Sequence, residues 1–191
     1  FIVGSLLGSA ALAFYSISWS WARSGELFIS QAISPVLLSY FSAIQKDELS
    51  LHDNLCSSLR NVYLLAPLLA LGIASVAPTF IPTILGEEWI PAVRLLQIMA
   101  LTGCLSPLIN IIGTALIAVG KAKLVTSYTL FYVVCLFLIL LPATALGGLV
   151  AAAIAEVVIN VITAFLILHF ARQEFKISPL NIMFLIGQPI S

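Results

Sequence analysis

Charge is what this chain has least of: 8% of its 191 residues are charged, against about 25% in ordinary soluble domains. That deficit excludes a water-exposed surface over most of the sequence. The eight basic and eight acidic residues cancel to a formal net charge of zero, so there is no basic field to attract nucleic acid or another polyanion. Cysteine is sparse too. Cys56, Cys104 and Cys135 are scattered without CxxC spacing, which gives neither a disulfide framework nor a metal site, and they read as apolar filler. HExxH, GxSxG, Walker A and DxD patterns are absent, and neither His52, in a polar segment, nor His169, at a helix end, is placed for chemistry. The sequence therefore points to no enzyme, no cofactor and no metal.

What is present is hydrocarbon. Hydrophobic residues make up 61% of the chain and the mean hydropathy is +1.15. A crossing helix needs about 20 mostly apolar residues, and five segments supply them: 11–41, 59–85, 90–119, 124–141 and 146–170. Barrel strands would alternate in polarity over about 10 residues, and these runs do not. The predicted class is all-α, a polytopic transmembrane helix bundle with about five complete spans in a single region, 1–191. The chain opens at Phe1 with no methionine or signal peptide, and an apolar run over 179–191 reads as the start of a truncated further helix. The expectation is a piece of a larger transporter-sized protein, cut at both ends.

The few basic residues fix an orientation. Lys46 lies in the polar segment 45–58 and Arg60 follows it, Lys121 and Lys123 fill the turn 120–123, and Arg172 and Lys176 lie in 171–178. These three loops are predicted to be cytoplasmic by the positive-inside bias. Loop 86–90 holds only the acids Glu87 and Glu88, and 142–147 holds no charge; both are predicted to lie outside. Pro35, Pro67, Pro78, Pro82 and Pro107 interrupt helix interiors, a pattern tolerated in membranes where neighbours or water satisfy the freed carbonyls, and one that suits bent helices around a cavity.

Polar groups at membrane depth are the candidate functional residues, because a charge at the helix centre costs at least about 2.5 to 3.5 kcal/mol. Arg23 and Glu26 are three residues apart on one helix face, so they either neutralise each other or face a polar cavity as a pair. Gln31 follows on the same span. Asn110 in the middle helix either cross-links helices or lines the same cavity. Glu156 sits near the centre of the last span with Asn160 four residues on, on the same face. A carboxylate there is protonated, paired with a cation on another helix, or part of an ion path.

Three stretches, "LGEEWIPA" (85–92), "ALIAVGKAK" (115–123) and "LGGLVAAAIAE" (146–156), occur in an order and spacing that resemble the polysaccharide exporters. These are the Wzx-type oligosaccharide-lipid flippases of the multidrug/oligosaccharidyl-lipid/polysaccharide superfamily. The resemblance covers nearly the whole chain and resembles the C-terminal-half helices of a 12 to 14 helix, two-lobed fold. It implies transport of a polyprenyl-diphosphate-linked oligosaccharide from the inner to the outer leaflet by alternating access, for polysaccharide or lipopolysaccharide synthesis at the bacterial inner membrane. It also implies a cationic cavity that holds the diphosphate, with Arg23, Glu26, Gln31 and Asn110 as its candidate lining, and coupling to an ion gradient, with Glu156 and Asn160 as candidates. The implied partners are the lipid-linked substrate, membrane lipids and polysaccharide-assembly proteins. Two rivals remain: a cation-coupled drug or metabolite antiporter of the same superfamily, mildly favoured by Glu156, and a membrane-embedded polysaccharide polymerase, disfavoured by the short outer loops.

Overall fold

The computed structural model describes residues 2–176, except the side chains of residues 2 and 28–32. The expected helix over 179–191 lies outside the described residues. A short helix α1 (Ile2–Leu7) turns at Gly8, with φ 87°, into α2 (Ser9–Ile44). Then come α3 (Glu48–Leu85), one 3-10 turn over Glu87–Trp89, α4 (Ile90–Ala118), α5 (Ala122–Cys135), a π-helical turn (Leu136–Leu140) and α6 (Leu141–Phe175). The all-α membrane bundle read from the sequence is what the chain forms. Three helical stretches, Glu48–Leu85, Glu87–Ala118 and Ala122–Phe175, are long and apolar enough to cross a bilayer, and Ile33–Ile44 is a shorter apolar one.

The turns follow local chemistry. Asp47 caps α3 by accepting from the Ser50 amide at 3.2 Å and the Ser50 hydroxyl at 2.7 Å, and those bonds hold its carboxyl below the usual range. Gly86 ends α3 with φ 103°. After α4, Gly120 adopts φ 78°, the Lys121 amide bonds the Leu116 carbonyl at 2.8 Å and the Gly120 amide bonds Ile117 at 3.0 Å. That is a Schellman arrangement, which satisfies carbonyls a helix end would otherwise orphan.

Two segments differ from the sequence reading. The polar stretch 45–58 was expected as a loop, yet α3 begins at Glu48. The cause is Asp47 as cap together with Leu51, Leu55, Cys56 and Leu59, which recur at helical spacing and are buried. The stretch 142–147 was expected as an outer loop, and it is helical. Pro142 lacks the N–H that would bond back into the preceding turn, and the π-helical turn just before it takes up the mismatch. The reversal happens at Gly148 alone, with φ 65° and ψ −154°, a conformation that favours glycine. The 54-residue stretch Ala122–Phe175 therefore doubles back, with Lys121 reaching Glu174 at 3.1 Å. Pro35, Pro67, Pro78, Pro82 and Pro107 lie inside helices that run on past them.

α4 is the central helix. Of its most apolar 18-residue window 61% is buried, against 22% for α3 and 17% for the doubled-back stretch, so the other helices turn most of their apolar surface outward. Such an inversion suits hydrocarbon surroundings, where association comes from close packing instead of water exclusion. Gly103 on α4 permits that packing: a Cβ there would lie 2.9 Å from the Ala22 carbonyl oxygen and 3.2 Å from the Ala70 Cβ. The largest apolar cluster joins Phe41 of α2, Leu55 and Leu59 of α3, Ile112 and Leu116 of α4, and Ile167 of α6.

Gly103→Val should therefore destabilise the bundle by roughly 1–3 kcal/mol through overpacking. Gly72→Ala, where a new Cβ meets nothing within 4 Å, should be neutral or mildly stabilising. Thermal unfolding of the full-length protein in mild detergent reads both.

Candidate functional site

α2 places Arg23 and Glu26 one turn apart because residues at i and i+3 share a helix face. Arg23 Nε and Nη2 each donate to Glu26 Oε2 at 3.1 Å. Glu26 is only 4% exposed, and its other oxygen, Oε1, accepts from Asn110 Nδ2 of α4. The Arg23 guanidinium also lies 4.9 Å from the centre of the Trp19 ring, a cation–π contact that strengthens where water is scarce. Its side chain keeps a quarter of its surface exposed. Arg23 Nη1 has no hydrogen-bond partner among the described residues. α2 is pinned to the start of α4 by Ser18, whose single buried hydroxyl proton is shared between the Phe14 and Ala92 carbonyls, 2.8 and 2.9 Å from Oγ.

A second polar group faces the first. Glu156 on α6 is 3% exposed; its Oε1 accepts from the Tyr132 hydroxyl of α5 at 2.9 Å and from Asn160 Nδ2 at 3.4 Å, while Asn160 also donates to the Glu156 carbonyl at 2.9 Å. No Lys or Arg forms a salt bridge with Glu156 among the described residues. Its donors among the described residues, Tyr132 and Asn160, are neutral, and that sets it apart from the cation-paired Glu26.

Arg23 and Asn110 of the first group and Tyr132 and Asn160 of the second line one cleft of about 180 Å³, together with Ser106 of α4 and Tyr128 of α5. Phosphate-sized anions and a few waters fit such a volume; a whole oligosaccharide does not. Its chemistry is one guanidinium, amides, hydroxyls and a hidden carboxylate. That set can hold an oxyanion by charge-assisted hydrogen bonds.

Of the residues singled out from the sequence, Arg23, Glu26 and Asn110 are joined by hydrogen bonds, and Asn160 completes the opposite wall with Glu156 behind it. The side chain of Gln31 lies outside the described residues. Tyr128 and Tyr132 were missed. Their spacing of four residues, with Thr129 between, marks one polar face of an otherwise apolar helix, a signal that was legible but submerged among aromatics of ordinary packing. His52, His169 and the three cysteines, which are free thiols, do not line this cleft.

A helical membrane protein with a small polar, anion-suited cleft between its spans is the class these features define. Comparison with known proteins narrows it. The family described as polysaccharide biosynthesis protein matches residues 1–94. An uncharacterized membrane protein in the cps region of Klebsiella pneumoniae is 30% identical over 88% of this chain and 35% of its own length. The teichuronic acid biosynthesis protein TuaB of Bacillus subtilis is 26% identical over 84% of this chain and 33% of its own. The lipopolysaccharide biosynthesis protein WzxC of Escherichia coli is 26% identical over 80% and 30%. The chain is similar to these membrane proteins of polysaccharide biosynthesis, and it spans about a third of the length of the curated relatives it matches. No solved structure matches it significantly.

The Arg23–Glu26 pair makes a structural prediction. Arg23→Ala leaves a carboxylate at membrane depth without its cation and should cost up to roughly 3 kcal/mol, discounted because the guanidinium is partly exposed. Arg23→Ala combined with Glu26→Gln should recover more than half of that loss. Folded yield and unfolding temperature in detergent, compared across wild type and the two variants, check it.

Proposed function

We propose that this region forms part of a flippase that moves a polyprenyl-diphosphate-linked oligosaccharide from the inner to the outer leaflet of the bacterial inner membrane, for polysaccharide or lipopolysaccharide synthesis. The observation that carries the reading is Arg23: a guanidinium at membrane depth with an uncommitted donor edge, opening on a cleft of phosphate size. The kinship with polysaccharide-biosynthesis membrane proteins supports it.

The physical problem is desolvation. A sugar-diphosphate headgroup stripped of water loses several kcal/mol per unpaired polar group, so its path must supply hydrogen bonds while the polyprenyl tail stays in lipid. The diphosphate competes with Glu26 for Arg23 and offers the bidentate geometry a guanidinium prefers. Asn110 holds Glu26 in place during that exchange. Because the cleft takes only the phosphates, the sugars extend into space bounded by the rest of the transporter. No covalent bond changes, and the cycle is alternating access between two lobes. Glu156 and Asn160 serve ion coupling. In this reading 45–58, 120–123 and 171–178 face the cytoplasm, with the segments around 86–90 and 142–147 outside. Polysaccharide-assembly proteins are the expected partners.

The buried Glu156, held by the neutral donors Tyr132 and Asn160, also favours a second reading, a cation-coupled drug or metabolite antiporter of the same superfamily. One experiment separates them. In a host lacking its own exporter, the full-length protein should restore surface polysaccharide, and Arg23→Ala at equal expression should reduce it at least tenfold, about the loss of one charge-assisted contact. Failure of the wild type to restore polysaccharide, together with acquired drug efflux, favours the antiporter.

A further inference from the structure

α5 is the loosest wall of the cleft. Of its fourteen residues only Cys135 is buried, and its packing on the apolar clusters comes from the partly buried Leu124, Val125, Tyr128 and Tyr132; elements with few buried apolar contacts are the ones that open first. Three attachments tie it down. At the inner end Lys121 pairs with Glu174 at 3.1 Å, a solvent-exposed ion pair that water and salt weaken. Midway, the Tyr128 hydroxyl lies against Gly113 of α4, so close that a Cβ on Gly113 would sit 2.8 Å from it. The third is the Tyr132–Glu156 hydrogen bond at 2.9 Å, which reaches a carboxylate hidden from water.

Just beyond Tyr132 the helix changes winding over Leu136–Leu140, followed at once by Pro142. A π-helical turn inside an α-helix is frequently found at a functional site, and its irregular bonding makes it a place where the helix can bend. α5 thus has a joint at its outer end, a weak tie at its inner end, and a buried polar bond between. We propose that α5 is a gate over the cleft and that the Tyr132–Glu156 bond is its latch, closed while Glu156 is a carboxylate and released when Glu156 takes a proton.

The chemistry is a change of acceptor. Ionised, Glu156 Oε1 accepts the Tyr132 O–H in a charge-assisted bond, about twice as strong as a neutral one. A proton arriving from water in the cleft binds the carboxylate, and the phenol keeps its own proton but loses the charge it was bonded to. The groups that set this equilibrium come from the surrounding helices. Tyr132 of α5 and Tyr15 of α2 are in electrostatic range of Glu156, and Arg23, paired with Glu26, is in range of Tyr132. α4 brings the neutral Ser106 and Asn110 to the cleft, and Asn160 shares α6 with Glu156. The described residues of α1 carry no titratable side chain.

The latch deepens the transport reading and rests on it only for its purpose, since the movement itself is measurable without transport. Spin labels at Ser127→Cys on α5 and Ser57→Cys on α3, both exposed positions, would be placed in the full-length protein in bilayers, with Cys56, Cys104 and Cys135 replaced by alanine. The pair distance is then read at about pH 8 and stepwise down to about pH 4, below the ordinary glutamate value of about 4.3. The expected result is a distance longer by a few ångströms in acid, and the long distance at every pH in Tyr132→Phe and in Glu156→Gln. Tyr132→Phe keeps the ring and removes only the hydroxyl, so it reads the latch even where Glu156→Gln folds poorly. A distance that ignores pH in the parent, or a Tyr132→Phe variant that follows pH as the parent does, overturns the latch. If the latch fails while export still depends on Arg23, the transport reading survives alone; if the distance responds as expected while export does not depend on Arg23, the transport reading falls and the latch stands.

Discussion

A charge in hydrocarbon costs at least about 2.5 to 3.5 kcal/mol at a helix centre, and α2 carries two within one turn. The arrangement around Arg23 and Glu26 answers that constraint. Glu26 is covered on one oxygen by the guanidinium and on the other by Asn110, so the pair binds α2 to α4 as well as to itself. Ser18 repeats the attachment to α4 nearer the start of α2, and Gly103 lets the two backbones approach closely enough for both links to form. A neutralised pair held against the central helix leaves one guanidinium edge over, and the cleft forms where that edge opens. Structure and proposed function thus depend on the same local neutralisation.

Much of the fold was legible because hydropathy and charge placement act directly in a membrane. Apolar runs must be helical, since hydrocarbon offers no partner to an exposed backbone group. The readings of 45–58 and 142–147 as loops went astray for opposite reasons. In the first, a capped amphipathic turn looks polar on average although Leu51, Leu55 and Leu59 form a buried stripe. In the second, an uncharged stretch between two apolar runs looks like a loop, yet a π-helical turn absorbs Pro142 and Gly148 alone supplies the reversal. Local averages do not register either effect.

The site was legible in its charged members and dim in its neutral ones. Arg23, Glu26 and Glu156 stand out from sequence because charge at depth is expensive. Tyr132 does not, because a tyrosine in an apolar helix is ordinary until its hydroxyl is seen at Glu156. Which helices would face one another could not be read from spacing within a single helix. The cleft, being made by four helices, emerges only from their packing.

The central claim is that Arg23 holds an anionic lipid headgroup. The most direct test is binding of a polyprenyl diphosphate, with the uncharged polyprenol as control, to the purified full-length protein and to its Arg23→Gln variant. The account predicts at least about a tenfold loss of affinity for the diphosphate, the scale of one lost charge-assisted pair, with the alcohol unaffected. Equal diphosphate affinity in both proteins would contradict it.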